Sequence, residues 1–305
     1  MRLVRTANGK TVVQKLPAFR SGPGAALQTI RTPKDTYVIP LMARPYLNRF
    51  LDPALFDVTK LAAAGAHGKI PIRIAFGGSQ VPAVPGLTVT AHSAGSASGY
   101  LTAASAHRFG AALAAQYRAD YVADFPQRAT LFGVTRILTG SSTLSAVSPQ
   151  YPMRTLIIKA LNRSGKPERL AFLTVINTDN LGKYVGFPVV INGAARISVP
   201  KGTYAIQDDT LALDKAGNFS VYDVYKTGIQ VSRQDQTSTV DARSATSLLS
   251  VRTPQPGIQQ SVELELEQAD RAGGLFFSGI GIFGEGRIYV APTTGRTPGL
   301  TSSTS

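Results

Sequence analysis

Residues 155–206 read TLIIKALNRSGKPERLAFLTVINTDNLGKYVGFPVVINGAARISVPKGTYAI. Apolar and polar residues alternate in Thr155–Ala160, Ala171–Asn177 and Ala195–Val199, the period-two signature of half-buried strands. Turn residues separate these runs: Ser164-Gly165-Lys166-Pro167, Asn192-Gly193 and Pro200-Lys201-Gly202. Asn-Gly between two apolar runs is a strong hairpin signal. The stretch therefore predicts a small β-sandwich unit, with Ile157, Val175, Ile197 and Val199 facing its core. It contains no catalytic constellation.

The same signals extend in both directions. Toward the N-terminus, Arg2–Arg5, Thr11–Leu16, Thr36–Pro40, Ile70–Phe76, Leu87–Thr90 and Leu131–Leu138 read as strands. Leu51–Ala64 reads as one or two helical turns, with Asp52 as N-cap, Pro53 at N1 and Gly65 as the stop. Thr102–Tyr121 is the strongest helix, opened by Thr102 and carrying Phe109, Leu113 and Tyr117 at helical spacing. Toward the C-terminus, Leu248–Arg252, Ser261–Glu267 and Arg287–Val290 alternate like strands. The Ser/Thr/Gly tract 140–149 marks a boundary. These features predict a mainly β protein with a minor α component. The expected organisation is an α+β region over 1–139, a sandwich over 151–232, additional strands over 233–292 and a flexible tail over 293–305.

Bulk properties narrow the function classes. The chain has 305 residues, ordinary apolar content, few charges and many Gly and Pro, which suits an all-β exported protein. No apolar run reaches 18 residues, so no transmembrane segment is expected. The start lacks an apolar h-region, so an exported protein would carry its leader outside this sequence. Cysteine is absent, which excludes disulfides, thiolate metal sites and a Cys nucleophile. Net charge is +14, and its distribution is uneven: residues 1–50 carry nine Lys/Arg against Asp35 alone. That excess suggests an anionic cell-wall polymer or another protein as partner. The basic residues are scattered and match no nucleic-acid-binding motif, which argues against nucleic acid.

Each chemical motif has a competing structural reading. Ala91-His-Ser-Ala-Gly95 resembles a nucleophile elbow with Ser93 as nucleophile. The histidines are only His67, His92 and His107, and His107 falls within the helix that follows, so it does not supply the downstream base of that fold. Gly279-Ile-Gly281-Ile-Phe-Gly284 matches a dinucleotide fingerprint by letter, but a strand rather than a helix follows it. Asp208, Asp209, Asp214 and Asn218, or Asn177, Asp179 and Asn180, offer oxygen ligands for Ca²⁺ without EF-hand spacing. Their turn-forming role is the commoner one. Tyr222, Tyr225, Phe276 and Phe277 suggest either a sugar-stacking face or core. No catalytic, cofactor or metal residue is assigned, and no cofactor is expected.

Thr36–Pro40, Leu51-Asp-Pro-Ala-Leu-Phe-Asp-Val-Thr-Lys-Leu61 and Ile70–Ile74 together resemble the pre-catalytic region of actinobacterial secreted subtilisin-family peptidases. Ser98–Phe109 is similar to the strand–helix element of their inhibitor-like prosegments. Residues 155–206 resemble their accessory carboxypeptidase-regulatory-like sandwich, and Asp241–Thr246 and Ile288–Thr293 resemble parts of the following β region. The resemblance implies an extracellular or cell-surface location and a folding, inhibitory or adhesive role. The catalytic Asp-Thr/Ser-Gly, His-Gly-Thr and Gly-Thr-Ser-Met-Ala motifs are missing: His67-Gly68 is followed by Lys69. No triad residue carries over, and the expected function is non-enzymatic.

Overall fold

Short apolar runs cut by Gly, Pro and Asn dictate many short strands, and strands dominate the computed structural model. The structure describes residues 2–5, 11–14, 26–64, 68–140, 151–250, 254, 257–292 and 298–304. A hairpin of β1 (Arg2–Arg5) and β2 (Thr11–Gln14) precedes β3 (Ala26–Arg31) and β4 (Thr36–Pro40). Two 3₁₀ segments, Leu41–Tyr46 and Pro53–Phe56, lead into α1 (Val58–Ala64). Asp52 caps the second 3₁₀ segment, its Oδ1 accepting from the Ala54 amide at 2.9 Å. The expected Gly65 stop lies outside the described residues.

Next come β5 (Lys69–Phe76), β6 (Thr88–Ser93), β7 (Ser96–Thr102), α2 (Ala103–Val122) and β8 (Val134–Thr139). Thr102 and Ser105 form a reciprocal capping box at the start of α2. These strands make an antiparallel sheet in the order β6-β7-β5-β8. Ile72, Ile74, Ala97 and Ile137 line its buried face.

The sandwich region supplies β9 (Met153–Leu161), β10 (Leu170–Asn177), β11 (Val185–Gly186), β12 (Val189–Ile191) and β13 (Ala194–Pro200). It continues through β14 (Gly202–Leu213), β15 (Phe219–Val231), β16 (Gln236–Asp241) and β17 (Ser247–Leu248). The last strands are β18 (Ser261–Ala269), β19 (Leu275–Phe283), β20 (Arg287–Val290) and β21 (Leu300–Thr304). The predicted Asn192-Gly193 hairpin forms between β12 and β13, both residues at positive φ.

One sheet runs β16-β9-β13-β12-β10-β14-β15-β20-β17, with β11 beside β10. Its two halves close on an apolar core of Leu156, Ile158, Leu173, Val175, Val199 and Ile206. The protein is mainly β with a sandwich-like unit, as expected. A second sheet, β21-β18-β19-β3-β4, covers the other face of β10, β14 and β15 and shares a larger core with α2 and the β5–β8 sheet.

Two expectations change. The strands of 233–292 do not form a separate piece: β16 pairs with β9, β20 with β15, and β18 and β19 join β3 and β4. They complete edges that earlier sequence leaves open. The expected flexible tail includes β21, which pairs with β18. Strand phase also differs in β9. Leu156, Ile158 and Ala160 are buried, and Ile157 is half-buried. Three adjacent apolar residues hide the period, and exposed Lys159 sets it by sharing the outer face with Ile157. Ile197 is half-buried against the core, and Val175 and Val199 are fully buried.

Candidate functional site

The polar chemistry of the chain converges where β10 leaves β14. The two strands pair as far as Leu173 and Asp208, then β10 turns away to pair with β12. The splay frees two backbone carbonyls in a buried place, where each must find a donor. Arg44, from the first 3₁₀ segment, supplies both. It donates to Phe172 O at 2.6 Å and Asp209 O at 3.3 Å, and its guanidinium lies 3.2 Å from Asp209 Oδ2. Arg44 is only 2% exposed.

Asp209 faces Asp223 directly across β14 and β15. Gln28 donates to Asp209 Oδ2 at 3.1 Å, and Gln207 donates to Asp223 Oδ2 at 2.6 Å. Burial, and then the Asp209 charge and its hydrogen bond, raise the Asp223 carboxyl well above the usual range. Two carboxyls this close do not both ionise, so the pair holds a proton. A shared-proton pair is acid–base equipment, but this one is closed. The cleft lined by Arg44, Glu168, Asp209 and Thr210 measures about 40 Å³, room for water rather than substrate.

Asp208 points to the opposite face, into the sandwich. Neither of its oxygens has a hydrogen-bond partner. Burial, then the charges of Asp209 and Glu168, push its carboxyl up to about 8. Burial, then the Asp124 charge, pushes Glu168 up to about 7.

An outer basin of about 130 Å³ adjoins this cleft through Phe125 and Leu170. Arg49, Arg128 and Arg169 line it. Buried Asp120 anchors Arg128, accepting from its Nε at 2.7 Å, from Tyr46 Oη at 2.8 Å and from Gln116 Nε2 at 2.9 Å. Arg169 pairs with Asp124 at 2.6 Å, where both side chains are at least half exposed.

The other sequence candidates are dispersed. Ser93 ends β6 in a hairpin, so the strand–turn–helix elbow does not form. Its Oγ lies 2.8 Å from Ser96 Oγ. No hydrogen bond joins it to a histidine among the described residues, and His67 lies outside them. Asp214 sits in the exposed β14–β15 turn, accepting from the amides of Ala216 and Asn218, far in role from inward-facing Asp208 and Asp209. Asn177, Asp179 and Asn180 staple their own loop through amides of Asp179, Asn180, Thr203 and Gly182. Gly279 and Gly281 lie within β19. Tyr222 stacks on Tyr289, Tyr225 is half-buried, and Phe276 and Phe277 are buried, so these rings form no common face.

Sequence reading missed Arg44, Arg49, Glu168 and Asp223. The one available signal was Gln207-Asp-Asp-Thr210, four polar residues in the middle of a strand with apolar flanks. Partners contributed by distant loops leave no local pattern. No protein-family model matches the sequence, and no curated protein matches it.

Proposed function

We propose that this chain is a non-catalytic module of an exported or cell-surface protein related to the subtilisin-family peptidases, with a folding, inhibitory or adhesive role. The observation that carries this reading is the exposed β6 edge of the β5–β8 sheet. Every residue of edge strand β6 is exposed, and Arg73 and Ser98 are exposed beside it on β5 and β7. Lys69 Nζ lies over the Tyr100 ring at 4.5 Å on the same side. An edge strand unpaired on its outer side among the described residues is a template for another chain. The prosegment-like sequence of this unit and the absent triad motifs support the same reading.

The test is a titration of the purified chain into a subtilisin-type peptidase hydrolysing a chromogenic peptide. Concentration-dependent inhibition with co-elution is expected, with no hydrolysis of casein or esters by the chain itself. Serine-reagent-sensitive hydrolysis that Ser93→Ala abolishes would replace this reading with a hydrolase. A second reading, binding to anionic wall polymer, rests on the basic first 200 residues, which carry an excess of 16 positive charges. Wall binding that weakens steeply from low to physiological salt would favour it.

A further inference from the structure

The outer basin combines features that a structural salt-bridge cluster does not need. Its three guanidiniums come from three separate places: Arg49 after the first 3₁₀ segment, Arg128 after α2, and Arg169 just before β10. They meet two carboxylates, Asp120 and Asp124. Glu168, next to Arg169, holds its proton up to about 7. Below that pH one positive charge therefore remains in excess, and Arg49 is the guanidinium of the three without a salt bridge. Among the described residues Arg49 has no salt bridge or hydrogen bond; the Asp120 carboxylate, already bonded to Arg128, acts on it only through its charge, and the Phe50 ring lies 5.0 Å away. Burial holds its guanidinium below the usual arginine range. An unpaired, partly desolvated cation is unfavourable until an anion joins it.

The floor between these cations is apolar: Phe125, Leu170 and Ile191. Ile191 is 47% exposed. Asn192 and Gln127 add amide donors at the rim. The backbone here is also strained. Five non-glycine residues among those described have positive φ. Phe125 and Asn192 line the basin, and Asn48 and Asp124 adjoin lining residues. Phe125, at φ 47°, is the costly one. Its ring is held there by edge-on contacts with Tyr117 and Tyr121, and such strain persists where surrounding structure enforces it.

We infer that the basin is a binding site for an organic monocarboxylate with an apolar body, such as the C-terminal residue of a peptide. The ligand carboxylate pairs with Arg49 through the planar guanidinium fork. Arg169 exchanges its exposed bond to Asp124 for the ligand, because a surface ion pair is worth little. Arg128 stays on Asp120 and supplies field. The ligand body covers Phe125, Leu170 and Ile191. A single carboxylate matches the one spare positive charge, and a phosphate dianion does not.

The experiment is calorimetric titration of the full chain with acetyl-alanyl-leucine as the free acid, as its C-terminal amide, and with inorganic phosphate. The acid should bind at least tenfold more tightly than either. Arg49→Met, which removes no salt bridge or hydrogen bond in the free protein, should weaken the acid at least tenfold while leaving the melting temperature within a few degrees. Asp124→Asn, which releases Arg169, should tighten it severalfold. 4-Methylpentanoate identifies the source: equal affinity points to a free small acid, and weaker affinity to a peptide terminus. Acid and amide binding alike, phosphate binding as well as the acid, no binding at millimolar acid, or an unaffected Arg49→Met would each overturn the inference. The outcome is independent of whether the β6 edge docks a peptidase.

Discussion

The two faces of strand β14 solve opposite problems. Toward the sandwich, Tyr204 and Ile206 pack with Val175 and Val199 in an apolar core broken by Asp208. Toward the second sheet, Gln207 and Asp209 meet Gln28, Arg44 and Asp223 in a polar seam. The apolar face is held by area, at about 25 cal/mol per Å² removed from water. The polar face is held by mutual satisfaction, and losing one member exposes the cost of the others. A strand with both faces buried therefore carries two different kinds of vulnerability.

The largest effect should come from breaking the apolar face. Val199→Asp places an unpaired carboxylate at a fully buried position and should unfold the sandwich, a cost of several kcal/mol. A folded variant with an unchanged melting temperature would show that the core is elsewhere. On the polar face, Arg44→Met leaves two carbonyls and the Asp209 carboxylate without their cation. The expected loss is about 3–5 kcal/mol in chemical unfolding at pH 8. An unchanged unfolding midpoint would mean that the Arg44 contacts contribute nothing beyond packing.

Proton linkage separates the faces next. Asp208 and Glu168 titrate at about 8 and about 7 in the folded chain, above their ordinary values of 3.8 and 4.5. Between these limits the folded state binds more protons than the unfolded state, so stability falls as pH rises. Their contribution is fully present below the unfolded values and lost through pH 7–8. Thermal unfolding should therefore show a higher midpoint at pH 5 than at pH 8. Asp208→Asn should flatten that difference by on the order of 2 kcal/mol, and an unchanged slope would place the linkage on another group. The smallest effect belongs to Lys201→Asp, in an exposed turn. It should cost roughly 0.5 kcal/mol or less, and equality with Val199→Asp would invalidate the contrast.

Legibility in the sequence followed the same division. Strands with one solvent face were readable: in Ser261–Ala269, Val262, Leu264 and Leu266 turn inward while the intervening glutamates turn away. The Asn192-Gly193 hairpin and the Thr102 cap were readable because turn and cap chemistry are local. In β9, three consecutive apolar residues erased the period and misplaced Ile157. Strand partners such as β3 with β19 left no trace, because register between distant segments is decided by tertiary packing. The candidate site was nearly invisible for that reason. Arg44, Arg49 and Arg169 carry no motif: tertiary packing alone places Arg44 at the splay of β10 from β14 and Arg49 and Arg169 in the adjoining basin.

That Gln28 and Ser278 touch across 250 positions also sets an order of events during synthesis. At roughly 5–20 residues per second, β3 leaves the ribosome about ten to fifty seconds before β19 exists to pair with it. The sandwich strands from β9 to β15 are all synthesised inside that interval. An early segment is thus among the last to find its full set of partners, and until then its edge stands open to whatever chain is nearest.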